Sequence, residues 1–486
     1  YGEHTYGASE SISDPGAVNS VTQWGLKQAY AWEAVKETAR AEEAALGLLA
    51  PHLGRSESPT VTVVNTLGHP RTGMARVWID RALLPPERPF TLVADDGSTA
   101  PVQELQRLGD GSWWGIWAAD VPALGWRTWD CVGGDPPTIG ANEAVRRTST
   151  SLESPYLRLE LDPETGAVSS LYDKQLEREL VDPAAPWQLG RLVHESLLGD
   201  RHQLELFTLE RCERTASEVA RIAPGADGPA FWSLVVHGST PLSPGEDGFR
   251  LELRMYALAK RLELVYRLRK RPSTEPEGLY VAMPFALDAA GVRYETVGGV
   301  VDPQHDLIPG TAADWHAVQG FVSVEDADAR VLVSSPDTLL WQLGGLNLGR
   351  FEPVARVEQP HVYPWLLNNY WVTNFVASQE GELEWTLALT AEPCSTSASA
   401  AARFGLEETV PLLARTLPGG EPTRVSGRGA TVELSASNVV LVGARPGPGG
   451  VQLLVREVEG RSARLRVVDP RDPRRALSLR RGGAFG

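Results

Sequence analysis

Three segments of this chain combine residue types that could do chemistry. The first is Gly2-Glu3-His4-Thr5-Tyr6-Gly7-Ala8, a histidine in a glycine-flanked stretch. Neutral imidazole is the commonest protein metal ligand, which makes His4 the candidate metal-binding residue. A loop histidine with ordinary hydrogen bonds fits the same stretch, and both readings stand on spacing alone. The second segment runs from Tyr363 to Phe375 and gathers Tyr363, Trp365, Tyr370 and Trp371 around the pair Asn368-Asn369. A sugar ring has an apolar face and a polar rim, so aromatic faces beside amide donors suit it. Asn368, Asn369, Tyr370 and Trp371 are therefore candidate substrate-binding residues. An aromatic core with an Asn-capped turn is the competing reading. Asp314-Trp315-His316 is a third, weaker candidate that also reads as a corner between strands.

Other chemistries leave no trace. The chain has no phosphate-binding G-x-x-x-x-G-K-[ST], no G-x-S-x-G nucleophile elbow and no H-E-x-x-H. Cys131, Cys212 and Cys394 are far apart and odd in number, which argues against a disulfide framework or a thiolate zinc site. Asp and Glu total 62, too many for sequence alone to choose the facing pair a glycosidase needs.

Composition narrows the partners. The formal net charge of −16 disfavours nucleic acid and anionic membranes and is compatible with a neutral sugar. No apolar run is long enough to span a bilayer. The few cysteines and the lack of an N-x-S/T sequon lean towards a cytoplasmic location.

The elements that must position these residues are mostly strands. One helix is expected over residues 20–50, with Ser20 as N-cap, Gln23 reaching back, and Val21, Trp24, Ala31, Val35 and Ala39 on one face. Its apolar stripe calls for bundle partners. Pro51 and Gly54 end it. Thr60–Asn65 and Ala75–Asp80 read as strands, and Leu157, Leu159 and Leu161 alternate before the turn Asp162–Gly166. Leu251, Leu253 and Met255, then Leu262, Leu264, Tyr266 and Leu268, predict an antiparallel hairpin. The chain is thus mainly β: the end of a helical bundle followed by several antiparallel β-sandwich domains. The expected division is 1–55, 56–145, 146–400 and 401–486, the last a terminal β domain that reads as truncated.

Taken together, the segments resemble glycoside hydrolase family 38, the retaining α-mannosidases, in their bacterial form. The likeness rests on Glu3–Ala8 with Ser11–Pro15 and Gln23-Trp24, on Val63–Asn65 with Pro70-Arg71, on Leu152–Tyr156 through Gly166 with Leu171–Lys174, and on Asn368–Trp371 with Asn374-Phe375. It spans most of residues 1–395. The resemblance implies a galactose-mutarotase-like large sandwich and one zinc ion held by His4 together with ligands upstream of this chain. It implies Tyr6 as a substrate-binding ring where relatives often have Trp. It implies an α-mannoside or oligosaccharide substrate, with nucleophile and acid also upstream, so that this chain alone would be inactive. The alternative is a non-catalytic carbohydrate-binding β-sandwich protein. Spacing does not decide between a monomer and a homo-oligomer.

Overall fold

The computed structural model describes residues 10–85, 87–134, 145–209, 211–288, 291–372, 375–423, 425, 427–447, 450–469 and 472–476. His4 and Tyr6 fall outside them. The chain divides into two compact units. One comprises Tyr1–Glu43, Asn142–Asp227 and Phe231–Thr396; the other comprises Ala44–Ala141, Gly228–Ala230 and Ser397–Gly486.

The expected helix is present over Val18–Leu49. A turn over Asp14–Ala17 leads directly into it, with Val21 N donating to Ala17 O. Ser20 therefore lies inside the first turn and is not the N-cap. Its hydroxyl is buried without a hydrogen-bond partner among the described residues, and Gln23 instead donates to Asn19 Oδ1 at 2.9 Å. A short 3-10 turn at Ala50–His52, with Pro51 in its first turn, closes the helix. Val21 and Val35 of the predicted stripe, with Tyr30 and Trp32, are more than half exposed in the chain.

The second unit is built on a six-stranded sheet. Its order is Leu413–Leu417, Thr60–Asn65, Gly125–Gly133, Phe90–Val93 and Thr99–Ala100, with Arg428–Ala430 pairing alongside Gly125–Gly133. Val61 and Val63 alternate inwards to meet Ile79, Leu92, Ile116 and Trp129. The division expected at residue 401 is not a sheet boundary, because Val63 pairs with Ala414 in one antiparallel ladder. A lone strand at Thr60–Asn65 would expose an edge, and Leu413–Leu417 covers it. Pairing across that sequence distance leaves no local signal.

The first unit holds two large antiparallel sheets. The nine-stranded one contains the predicted hairpin as Phe249–Tyr256 and Leu262–Lys270, with Leu253 opposite Leu264. It also contains Gly381–Pro393, where Leu387 faces Leu264 from the other side. The seven-stranded sheet runs in the order Arg211–Ala216, Leu192–Leu198, Glu277–Val281, His361–Asn368, Leu340–Leu343 and His316–Ala317, with Met283–Pro284 beside His361–Asn368. Tyr266 of the first sheet donates to Gly190 O at 2.8 Å, just ahead of Leu192–Leu198, and Lys270 reaches Glu277 of the second at 2.8 Å. The turn at Asp162–Gly166 forms as predicted. Asp162 Oδ1 accepts from Glu164 N and Thr165 N, and Gly166 sits at φ +65°. A Cβ there would lie 2.7 Å from Val236 Cγ1, so glycine is needed for both space and backbone sign.

Leu264 is fully buried between two strands of the nine-stranded sheet. Leu264→Ala is expected to lower stability by about 2–5 kcal/mol through lost burial and a residual cavity. A drop in the urea midpoint with an unchanged slope is the check, and a loss under about 1 kcal/mol would contradict the assigned packing.

Candidate functional site

The aromatic segment leaves the end of a central strand. His361–Asn368 pairs with Glu277–Val281 on one side and Leu340–Leu343 on the other, and Asn368 is its last residue, opposite Gly278. The structure separates the four candidates that follow. Asn369 and Tyr370 are each 2% exposed, whereas Trp371 is 39% exposed. Asn368 is half-buried, and its Oδ1 has no hydrogen-bond partner among the described residues.

Asn369 ties the segment down. Its Oδ1 accepts from Glu277 N at 2.6 Å, and its Nδ2 donates to Ala377 O at 2.9 Å. Its own amide donates to Glu277 O at 3.0 Å. Every polar atom of this side chain is thus used inside the fold. The guanidinium of Arg201 adds a clamp by donating to the carbonyls of Asn369, Trp371 and Thr274.

Tyr370 turns inwards onto a buried acid. Glu195 is fully buried in the middle of the strand Leu192–Leu198. Its Oε1 accepts from Tyr370 Oη and from Tyr280 Oη, both at 2.9 Å, and its Oε2 accepts from Arg214 Nε at 2.6 Å. Burial, and then the neighbouring Glu195 carboxylate, pushes the Cys212 thiol up to about 12, so it is not a nucleophile near neutral pH. Burial also holds both tyrosines well above their ordinary range. Gly278 makes room for this contact, since a Cβ there would lie 2.5 Å from Tyr370 Oη.

From this anchor a line of rings runs outwards. Tyr280 stacks on Trp365 at 5.4 Å with 17° between planes. Trp365 meets Trp315 edge to face at 5.8 Å, and Trp315 meets Trp371 at 6.1 Å. The line starts in the interior and ends on an exposed indole. An exposed indole on a fixed backbone can stack against the apolar face of a sugar ring.

The third sequence candidate divides in the same way. Trp315 joins the ring line, while His316 opens the edge strand of the seven-stranded sheet and is 4% exposed. Its ring lies 5.1 Å from that of Tyr294, and burial pushes its pKa down to about 4. Asp314 accepts from Gly349 N at 2.9 Å and Phe351 N at 3.1 Å. Among the described residues no group of three or more His, Cys, Asp or Glu could hold a metal ion. No described helix is long and apolar enough to cross a membrane.

Sequence reasoning missed Glu195, Arg214 and Tyr280. A signal existed for the first, a carboxylate within the apolar run Leu192-Val193-His194-Glu195-Ser196-Leu197-Leu198. Its partners lie on other strands, where no short motif marks them.

Two tests follow from this geometry. Tyr370→Phe removes one donor to a buried carboxylate, and a loss of about 1–3 kcal/mol is expected on denaturant unfolding. For His316, the unfolded chain takes up a proton near pH 6.5 that the folded chain excludes until about pH 4. The stability from its neutral form is present above pH 6.5 and is lost as pH falls towards 4. His316→Gln should make the plot of stability against pH shallower in that window by about one proton, and identical slopes would refute the buried neutral imidazole.

Residues 152–336 match the profile described as glycosyl hydrolases family 38 C-terminal domain. No curated protein matches the chain by sequence. Among solved structures, an alpha-mannosidase from Enterococcus faecalis V583 superposes with TM-score 0.68 at 10% identity, over 93% of this chain and 56% of that one. A protein in the glycosyl hydrolase family 38 from Enterococcus faecalis superposes with TM-score 0.67 at 10% identity, over 93% of this chain and 58% of that one. This chain therefore spans somewhat more than half the length of these two proteins. Residues 152–336, within the large β unit that carries Glu195, are thus similar to the glycosyl hydrolases family 38 C-terminal domain.

Proposed function

We propose that this chain is the C-terminal part of a zinc-dependent retaining α-mannosidase that removes terminal α-mannosyl residues. The observation that carries the reading is the family 38 domain at residues 152–336, set within a fold likeness that extends over 93% of the chain to a protein described as an alpha-mannosidase. The exposed indole at the end of the ring line is what such a reading needs at a sugar-facing surface.

The chemistry of such an enzyme is a double displacement. One carboxylate attacks the anomeric carbon while a second carboxyl protonates the leaving oxygen, and water then hydrolyses the glycosyl-enzyme. Neither carboxyl is assigned to a residue of this chain. Zinc, when bound, would orient sugar hydroxyls and stabilise developing charge. His4 is the residue of this chain proposed to hold it, and Tyr6 is proposed to lie against the sugar; both stand outside the described residues. Within the described residues, Trp371 offers its face to the sugar, while Asn368 Oδ1 is buried away from solvent. Asn369 and Tyr370, both buried, anchor the backbone that carries Trp371. A neutral glycoside suits a chain of net charge −16, and a cytoplasmic location remains part of the proposal.

The test uses the full product of the gene. It should hydrolyse an aryl α-mannoside and hold about one zinc per chain, and His4→Ala should lose most of the metal. Trp371→Ala should raise KM about three- to tenfold with zinc content unchanged, as expected for loss of one stacking contact. Full zinc in the His4 variant would remove His4 from the metal site. Absence of hydrolysis by the gene product would favour a non-catalytic carbohydrate-binding protein.

A further inference from the structure

An antiparallel sheet with one face in a core ordinarily turns polar side chains to water on the other. The three-stranded sheet of the second unit departs from that rule. Its order is Arg71–Asp80, Gly111–Val121 and Val102–Arg107. Ala75, Val77, Ile79 and Ile116 face the core. Strand alternation then turns Arg76, Trp78 and Trp113 the other way. Trp78 lies opposite Trp113, and Trp113 lies opposite Gln106 on the third strand. A bulge between Glu104 and Gln106 brings Leu105 onto the same face. A Cβ on Gly115 would lie 2.8 Å from Met74 Sδ and 3.4 Å from Leu105 Cδ2, so both side chains spread over that glycine. Leu108, two residues beyond Gln106, is 46% exposed.

The two indoles are the centre of this face. They meet edge to face, with ring centroids 5.5 Å apart and 64° between planes, and both are half-buried. Trp78 lies over Gly111, where a Cβ would come within 2.6 Å of its Cζ2, so only glycine lets the ring settle there. The Arg76 guanidinium lies over Trp113 at 4.3 Å. A guanidinium held on an indole is fixed in place while its N–H groups stay free to donate. Arg76 and Gln106 are exposed, and neither side chain has a hydrogen bond or ion pair among the described residues.

The occupant of such a face must bring an apolar surface for the rings and acceptors for the two donors. A pyranose has both, with C–H groups on its faces and hydroxyl oxygens round its rim. An inorganic anion would leave the rings in water, and an apolar helix would strip both donors of water without replacing it. Arg76 repels a metal cation. The row from Trp78 across Trp113 to Gln106 covers two strand spacings, roughly 10 Å, which is longer than a single sugar ring. We propose that this outer sheet face holds a neutral oligosaccharide lying across the strands, with a ring against the two indoles and with Arg76 and Gln106 donating to its hydroxyl oxygens. The face belongs to a different unit from Trp371. The glycoside-acting reading above enters only through the choice of glycans to test.

The experiment is affinity electrophoresis of the whole 486-residue chain in native gels containing soluble mannan, galactomannan or dextran. Retardation by at least one polymer is expected. Arg76→Ala and Gln106→Ala change exposed side chains, so they should keep the unfolding midpoint and raise the apparent Kd about three- to tenfold each. Trp78→Ala should abolish retardation, and Trp371→Ala should leave it in place. Retardation by none of the three polymers would overturn the site, as would retardation unchanged in the Arg76 and Gln106 variants or lost only in Trp371→Ala. A dimer in sedimentation velocity that Arg76→Ala dissociates would assign the face to a second copy of the chain and overturn it too. The readout is binding by this chain, so it stays separate from hydrolysis by the gene product, and either reading can fail without the other.

Discussion

A carboxylate with no solvent contact has to be neutralised where it sits. Glu195 lies in the middle of Leu192–Leu198, the strand next to one edge of the seven-stranded sheet, and four groups approach it: Arg214, Tyr280, Tyr370 and the Cys212 thiol. An uncompensated charge in such a place costs several kcal/mol, and losing one partner of a buried pair about 3–5 kcal/mol. The sheet therefore cannot slide, and the residues after its central strand cannot lift away, without exposing that cost. Tyr370 is held to the interior by this charge. Trp371, the next residue, is on the opposite side of the chain and so faces out. The contrast between a buried tyrosine and an exposed tryptophan in adjacent positions follows from one buried acid.

The same acid also holds a second loop. From Glu195 the hydrogen bonds pass through Tyr280 to Gln342 and on to Asn347, and each step uses a side-chain group that can bond in only one sense once its neighbour is fixed. Two loops thus take their positions from one interior charge, one ending at Trp371 and one at Asn347. Surfaces held in this way need little ordering on contact with a ligand, which lowers the entropic cost of binding. Arg201 reinforces the first by satisfying three carbonyls, and Asp314 reinforces the second by accepting two amides.

Much of the fold was legible in the sequence, because strand alternation and turn residues are local. The hairpin at Leu251–Leu268, the strand Thr60–Asn65 and the Asp162–Gly166 turn all form where the pattern places them. The helix forms too, but its start moved two residues earlier, since an upstream turn at Asp14–Ala17 feeds it and leaves Ser20 inside. The pairing of Leu413–Leu417 with Thr60–Asn65 could not be read, because it joins segments hundreds of residues apart. The candidate site was legible in part. The aromatic cluster with its Asn pair was visible as composition, yet composition treats Asn369 and Trp371 alike. Only the ladder shows that one amide is consumed by Glu277 and Ala377 while one indole stays open.

Charge bears on the neutral ligand proposed for the Trp371 surface. Ionic groups in this unit are mostly committed to one another: Arg214 with Glu195, Lys270 with Glu277, Lys260 with Asp173, Arg330 with Glu392. Pairs that are buried in this way have already given up their water and gain little from a further ion. A charged ligand would have to lose its hydration without finding a free counter-charge. A sugar faces a smaller penalty, because it carries no net charge and its apolar face exchanges water for an indole such as that of Trp371. The committed charges therefore leave the uncharged but polar surface as the part of the unit free to recognise something.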